Sequence, residues 1–200
     1  MDKYLNGIRD ELNTVKTNDD FYHRLDALVT QLSKLCPNAG EIKDQKSADV
    51  MTSLVFLLRE GYDKGFNIVV QCEIKPIGGG VKNAGENVTQ PNVTQSAGGN
   101  VMQSGRKKVM NAYMSYMQSP FGRVYSFYTT MEKAEKAVGN DNWAELPVQF
   151  VMNNLFNRKE AVAFTFNGEF GKSEGIIIVP LMFLRPVFQG KMPKPENFRE

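Results

Sequence analysis

Histidine is nearly missing from this chain: of its 200 residues only His23 carries an imidazole. That removes zinc sites built on paired histidines and any His-bridged dicarboxylate centre, so no metal ligand set is expected. Cysteine is scarce too. Cys36 and Cys72 are too few for a disulfide framework, and no motif groups either of them with histidine, which points to a reduced, intracellular setting. A Cys–His nucleophile pair would have to recruit His23 from the polar start of an amphipathic helix, with no third group to orient it.

Net charge is also small. The 24 basic and 22 acidic residues leave +2, so any basic surface has to be local rather than global. Long apolar runs are absent as well. The longest, around Ile176–Leu184, is interrupted by Pro180 and is far below membrane-spanning length, and the N-terminus Met1–Asn6 is polar where a signal peptide needs its apolar stretch. No membrane association is expected, and the location expected is cytoplasmic or nuclear, or within a virion. Two Asn-Val-Thr sequons, at Asn87 and Asn92, lack a secretory route that would make them acceptors.

Charge is missing most visibly from residues 77–105, where Lys82 and Glu86 are the only ionisable side chains. This Gly/Asn/Gln-rich stretch carries three Asn-Val-x-Gln units, at Asn87–Gln90, Asn92–Gln95 and Asn100–Gln103, and offers little to bury against the entropy of ordering its backbone. It reads as a loop or linker between residues 1–76, a helical region ending in a strand, and residues 106–200, a mixed region with an extended tail. The two flanking regions are expected to form either separate units or one domain.

What is present is a patterned globular sequence, 42% hydrophobic. Leu5, Ile8, Leu12 and Val15 recur at helical spacing. Phe21, Leu25, Leu28, Val29, Leu32 and Leu35 form a second stripe that Pro37 closes, with Asn18–Asp20 as capping side chains. A third helix is expected over Ala48–Gly61, capped by Ser47 and apolar enough to be central to a bundle. Phe66–Ile74 is rich in β-branched residues and reads as a strand.

After the loop, Val109, Met110, Tyr113, Met114 and Met117 suggest a helix ending before Pro120. Phe121–Tyr128 is partly strand-like, Thr129–Val138 is a solvated helix stopped at Gly139, and Trp143 opens another helix with Pro147 in its first turn. Ala161–Phe166 and Gly175–Val179 form a β-hairpin across a turn at Gly168 and Gly171. From Leu181 onward, Pro186, Pro193 and Pro195 predict an extended arm. The fold class expected is therefore α+β: a mainly helical N-terminal half, the long loop, then helices with a small antiparallel β-element.

Motif chemistry is sparse. Gly168–Ser173 ends like a Walker loop, but its required first glycine falls at Ala163, so it is a hairpin turn. Glu132 and Glu135 alternate with Lys133 and Lys136 as a salt-bridged helix face, and Asp19 with Asp20 reads as a cap. One local basic cluster stands out: Arg106, Lys107 and Lys108, followed by Tyr113 and Arg123. Lysine and arginine beside aromatic rings can neutralise phosphates and stack on bases, which makes these five the candidate nucleic-acid contacts. The functional expectation is a non-enzymatic, self-assembling structural protein with no cofactor, of which a viral coat or nucleocapsid subunit touching RNA or DNA is one concrete form, and a homo-oligomer in either case. The alternative is a cellular nucleic-acid-binding or adaptor module, with an enzyme third.

Overall fold

A computed structural model describes residues 14–36, 42–76, 110–168 and 176–190. The expected first helix ahead of Val15, the loop 77–105, the Arg106–Lys108 cluster and the tail beyond Gly190 lie outside the described residues. The architecture is α+β, as the sequence pattern predicts. In chain order it comprises α1 (Asn18–Leu35), α2 (Gln45–Lys64), β1 (Asn67–Pro76), β2 (Met110–Met114), β3 (Tyr116–Ser119), β4 (Gly122–Tyr128), α3 (Met131–Val138), β5 (Trp143–Pro147), α4 (Val148–Asn157), β6 (Ala161–Phe166), β7 (Ile177–Pro180) and α5 (Leu181–Phe188).

Both long helices start on capping boxes, α1 one residue and α2 three residues earlier than their expected caps. Thr17, not Asn18–Asp20, is the N-cap of α1. Its hydroxyl accepts from the Asp20 backbone N–H at 3.1 Å, while the Asp20 carboxylate accepts from the Thr17 N–H at 2.9 Å, so two orphan donors are satisfied reciprocally. Asp44 does the same for α2, with Ser47 as its N3 partner rather than the cap itself. Gly61 does not end α2. It lies inside the helix because a Cβ there would stand 2.7 Å from the Phe21 ring, so its missing side chain is the slot into which α1 packs. The helix stops at Gly65, in the left-handed region at φ 72°.

The sheet is larger than the small antiparallel element expected. Seven strands join in it, with the spine β2-β1-β4-β6-β7, β5 on β1 and β3 on β4. The β6–β7 hairpin matches expectation, with Phe164 opposite Val179 and Phe166 opposite Ile177. β4 and β6 run parallel, joined through α3, β5 and α4. β1 meets β4 only at Val69–Tyr128 and Val70–Phe127. Beyond that point the sheet forks: β1 pairs with β2 from Cys72 to Pro76, and β4 pairs with β3 from Tyr125 to Gly122. The chain reverses between the two arms at Ser115, whose N–H donates to the Gln71 carbonyl at 3.0 Å.

Three expected elements are corrected. The described part of the run Val109–Met117, from Met110 on, lies in strands β2 and β3, not in a helix, because the outer half of β1 and the start of β4 each take one of them as ladder partner; tyrosines and methionines at mixed spacing fit either period. Trp143–Pro147 is strand β5 along the inner half of β1, and α4 begins only at Val148. Leu181–Phe188 is helix α5 rather than an arm: Leu181, Leu184 and Val187 are buried on one side, and the bond lost at Pro186 leaves only the carbonyl of the 66% exposed Met182 to water.

One hydrophobic core draws on residues before position 77 and after position 109, from Phe21, Leu25, Leu54 and Leu58 to Phe127, Phe164, Phe166 and Leu155. Phe127 stacks on Phe164 at 4.5 Å between ring centroids and meets Phe166 edge-on at 6.1 Å, an arrangement that adds quadrupole attraction to area burial. No helix among the described residues is long and apolar enough to cross a membrane.

Candidate functional site

Of the five expected contacts, two are described, and they lie on different arms of the fork. Tyr113 is on β2, in register with Glu73 of β1. Arg123 is on β4, and its guanidinium lies over the Tyr116 ring at 4.4 Å, while Tyr116 sits beside Tyr125 at 5.8 Å between centroids. Arginine, Tyr116 and Tyr125 thus form a row on one face of the β3–β4 hairpin. The Tyr125 hydroxyl is buried and finds no hydrogen-bond partner among the described residues. At the hairpin tip Phe121 is 88% exposed.

The cysteines have structural surroundings. Cys36 and Cys72 are buried and not joined in a disulfide, and burial pushes the Cys72 thiol up to about 12, which leaves it protonated and unreactive at neutral pH. His23 is exposed on α1 and lines a concavity instead.

That concavity, about 540 Å³, is the larger of two that adjoin along α1. Its floor and walls come from Tyr22, His23, Asp26, Ala27, Thr30 and Lys34 of α1, facing Thr130, Met131 and Glu132 at the start of α3. The second, about 400 Å³, continues past Tyr22 and Met131 to Phe66, Asn67 and Glu145. The two share Asp19, Tyr22 and Met131, so they make one trough with Tyr22 at its waist.

Two polar linkages hold the walls. Asp26 accepts from the Thr129 hydroxyl and from the Lys133 ammonium, joining α1 to the head of α3. Thr129 is itself fully buried, and its backbone N–H donates to the Asn167 side-chain carbonyl at 3.0 Å. Asn167 takes φ 54°, a conformation asparagine tolerates better than most residues, and its N–H donates to the Phe127 carbonyl at 2.9 Å. Burial pushes the Asp26 carboxyl upward, but the bonds from Lys133 and Thr129 outweigh it and hold the group below the usual carboxylate range.

The second linkage is the Tyr22 hydroxyl, which donates to Glu145 at 2.7 Å and ties α1 to β5. Burial, then the neighbouring Glu145, raises the Tyr22 phenol above its ordinary value, which favours the protonated hydroxyl as donor. Glu132 is held low by its own backbone N–H and the Thr130 hydroxyl at the α3 N-terminus, where the helix dipole also favours a carboxylate.

Sequence reasoning did not find this trough. Asp19 is expected in a cap and Glu132 on a salt-bridged helix face, but Thr17 is the cap and Lys133 pairs with Asp26; the cavity Asp19 and Glu132 share depends on contacts across more than a hundred residues. The one available signal was Asp26, a carboxylate set directly beside Leu25 and Leu28 of an otherwise apolar stripe. No family model matches the chain, and no curated protein or solved structure matches it.

Proposed function

We propose that this chain is a non-enzymatic binding module of the adaptor kind, which presents the α1 trough to a partner. The observation that supports this reading is that both walls of the trough are fixed by long-range bonds, Asp26 with Thr129 and Lys133 on one side and Tyr22 with Glu145 on the other. A concavity whose walls are already locked loses little entropy when it is filled, and that preorganisation raises affinity without new contacts. Ala27, exposed on the trough floor, leaves room for an incoming side chain.

Selection of random peptides on the intact chain tests the reading. Enriched peptides that no longer bind Ala27→Arg, in which the floor is filled, are expected. Enrichment of peptides that bind Ala27→Arg equally well, or no enrichment, would overturn it.

A second reading, self-assembly with nucleic-acid contact, draws on the β3–β4 hairpin. Phe121 at the tip of the β3–β4 hairpin is 88% exposed, and the Arg123 guanidinium stacks on the Tyr116 ring on one face of that hairpin, a combination suited to a subunit contact or a base-stacking platform. Light scattering across a concentration series checks it: a monomer that co-purifies with no nucleic acid removes this reading and leaves the first intact.

A further inference from the structure

The α1 trough is graded in charge. Asp19 borders both of its concavities, Glu145 lies in the one beyond Tyr22, and Glu132 lines the other; none of them has an ion-pair partner among the described residues, and Glu145 takes only the neutral Tyr22 hydroxyl. Asp26, midway, is already neutralised by Lys133. The far end carries Lys34. Between these charged groups the surface is Tyr22, Ala27 and Met131, apolar and partly open.

Length narrows the occupant. From Asp19 to Lys34 the helix rises about 22 Å at 1.5 Å per residue, which an extended chain covers in about six or seven residues. A small molecule suits this trough poorly, because His23, Ala27, Gln31 and Glu132 are exposed along it and such ligands are held where most of their surface is enclosed. Nucleic acid suits it less, since three uncompensated carboxylates repel phosphate.

We infer that the trough docks a short extended segment of a partner protein, with lysine or arginine at the Asp19–Glu145 end and an apolar side chain seated over Ala27 and Met131. This rests on the binding-module reading above and gives its partner a chemistry. The carboxylates set the register of the segment and speed its encounter, while the apolar floor supplies the contact area. Lys34 sets direction, because a segment entering reversed would bring its cations against another cation.

Fluorescence anisotropy on the full chain tests this with three labelled heptapeptides. One carries Lys and Arg in one half and leucine at the centre; the second replaces the cations by Glu; the third scrambles the first at equal charge. The first should bind tightest, and Glu132→Lys and Ala27→Arg should each weaken it about tenfold or more, with affinity falling as salt rises. Asp141→Lys, the same charge change at an exposed site outside the trough, should leave binding within about twofold. Equal weakening by Asp141→Lys, equal binding of the scrambled peptide, or equal binding of the Glu peptide overturns the inference. So does conversion of an associated chain to monomer by Ala27→Arg, which would make a second copy the occupant. If random selection yields Ala27→Arg-sensitive peptides without cations, the binding-module reading stands and the basic-segment inference alone falls.

Discussion

The trough along α1 and the hairpin β3–β4 are held in place by contacts of opposite reach. At the trough, side chains 103, 107 and 123 positions apart bond directly, as Asp26 with Thr129, Asp26 with Lys133 and Tyr22 with Glu145. At the hairpin tip the side-chain bonds are local: the Ser119 hydroxyl donates to the Gly122 carbonyl at 2.7 Å and accepts from the N–H groups of Phe121 and Gly122 at 3.2 Å. The first kind of contact exists only in the folded chain and makes the trough walls as cooperative as the core. The second builds a self-sufficient turn that can carry a large exposed side chain at little cost to the rest.

The contrast predicts where substitutions propagate. The largest effect is expected from Gly61→Val, which drives two methyl groups into the Phe21 ring and levers α1 off α2, costing about 2–3 kcal/mol; chemical denaturation measures it, and a loss under about 0.5 kcal/mol would mean that α1 can slide. Asp26→Ala should cost about 1–2 kcal/mol, since it takes the charged acceptor from the buried Thr129 hydroxyl, leaving it Asn167, and frees Lys133. Amide exchange should then rise in α1 and α3 while β3–β4 stays unchanged; a rise spread over both regions would erase the distinction.

pH gives a third test. Because Asp26 is held low in the folded chain, its contribution is complete above the unfolded carboxylate pKa of about 3.9 and disappears as the pH falls through the lower folded value. The stability gap between the parent chain and Asp26→Ala should therefore close below that pH, and a gap that persists there would assign the effect to packing instead. Tyr22→Phe comes next, at about 0.5–1 kcal/mol, because Glu145 is partly exposed and water replaces the phenol. Smallest is Phe121→Ser, within about 0.5 kcal/mol of the parent despite removing a whole aromatic ring, as expected for a surface position without tertiary contacts. A large loss there would show that the hairpin tip is not self-sufficient.

The same difference in reach explains what could be read from the sequence. Elements whose signal is local were legible: the apolar stripes of α1 and α2, the β-branched run of β1, and the Ala161–Phe166 hairpin strand. Val109–Met117 misread as a helix because its tyrosines and methionines accept either period, and the deciding fact, an unpaired outer half of β1, lies across the loop. The proline rule failed at Pro186, where an exposed carbonyl at Met182 and three buried apolar side chains outweigh one missing donor. Apart from Asp26 beside the apolar stripe, the trough left no mark in the sequence, since nothing near Tyr22 in the chain announces Glu145. Of the expected nucleic-acid contacts, Tyr113 and Arg123 were read from nearness in sequence, and the fork in the sheet puts them on separate arms.

That fork also settles how freely the chain can change length. Pro76 and Met110 are cross-strand partners, so everything numbered between them leaves and returns at the end of one ladder. The entropic cost of joining two fixed ends grows by only about 0.6 kcal/mol for each doubling of the connecting length. Additions, deletions or whole inserted domains between these two residues therefore leave the ladder's end-to-end geometry untouched, and removal of Asn87–Gln103 should shift the melting temperature little. Evolution and protein engineers alike have an open port here, one at which new sequence can be admitted without renegotiating the core.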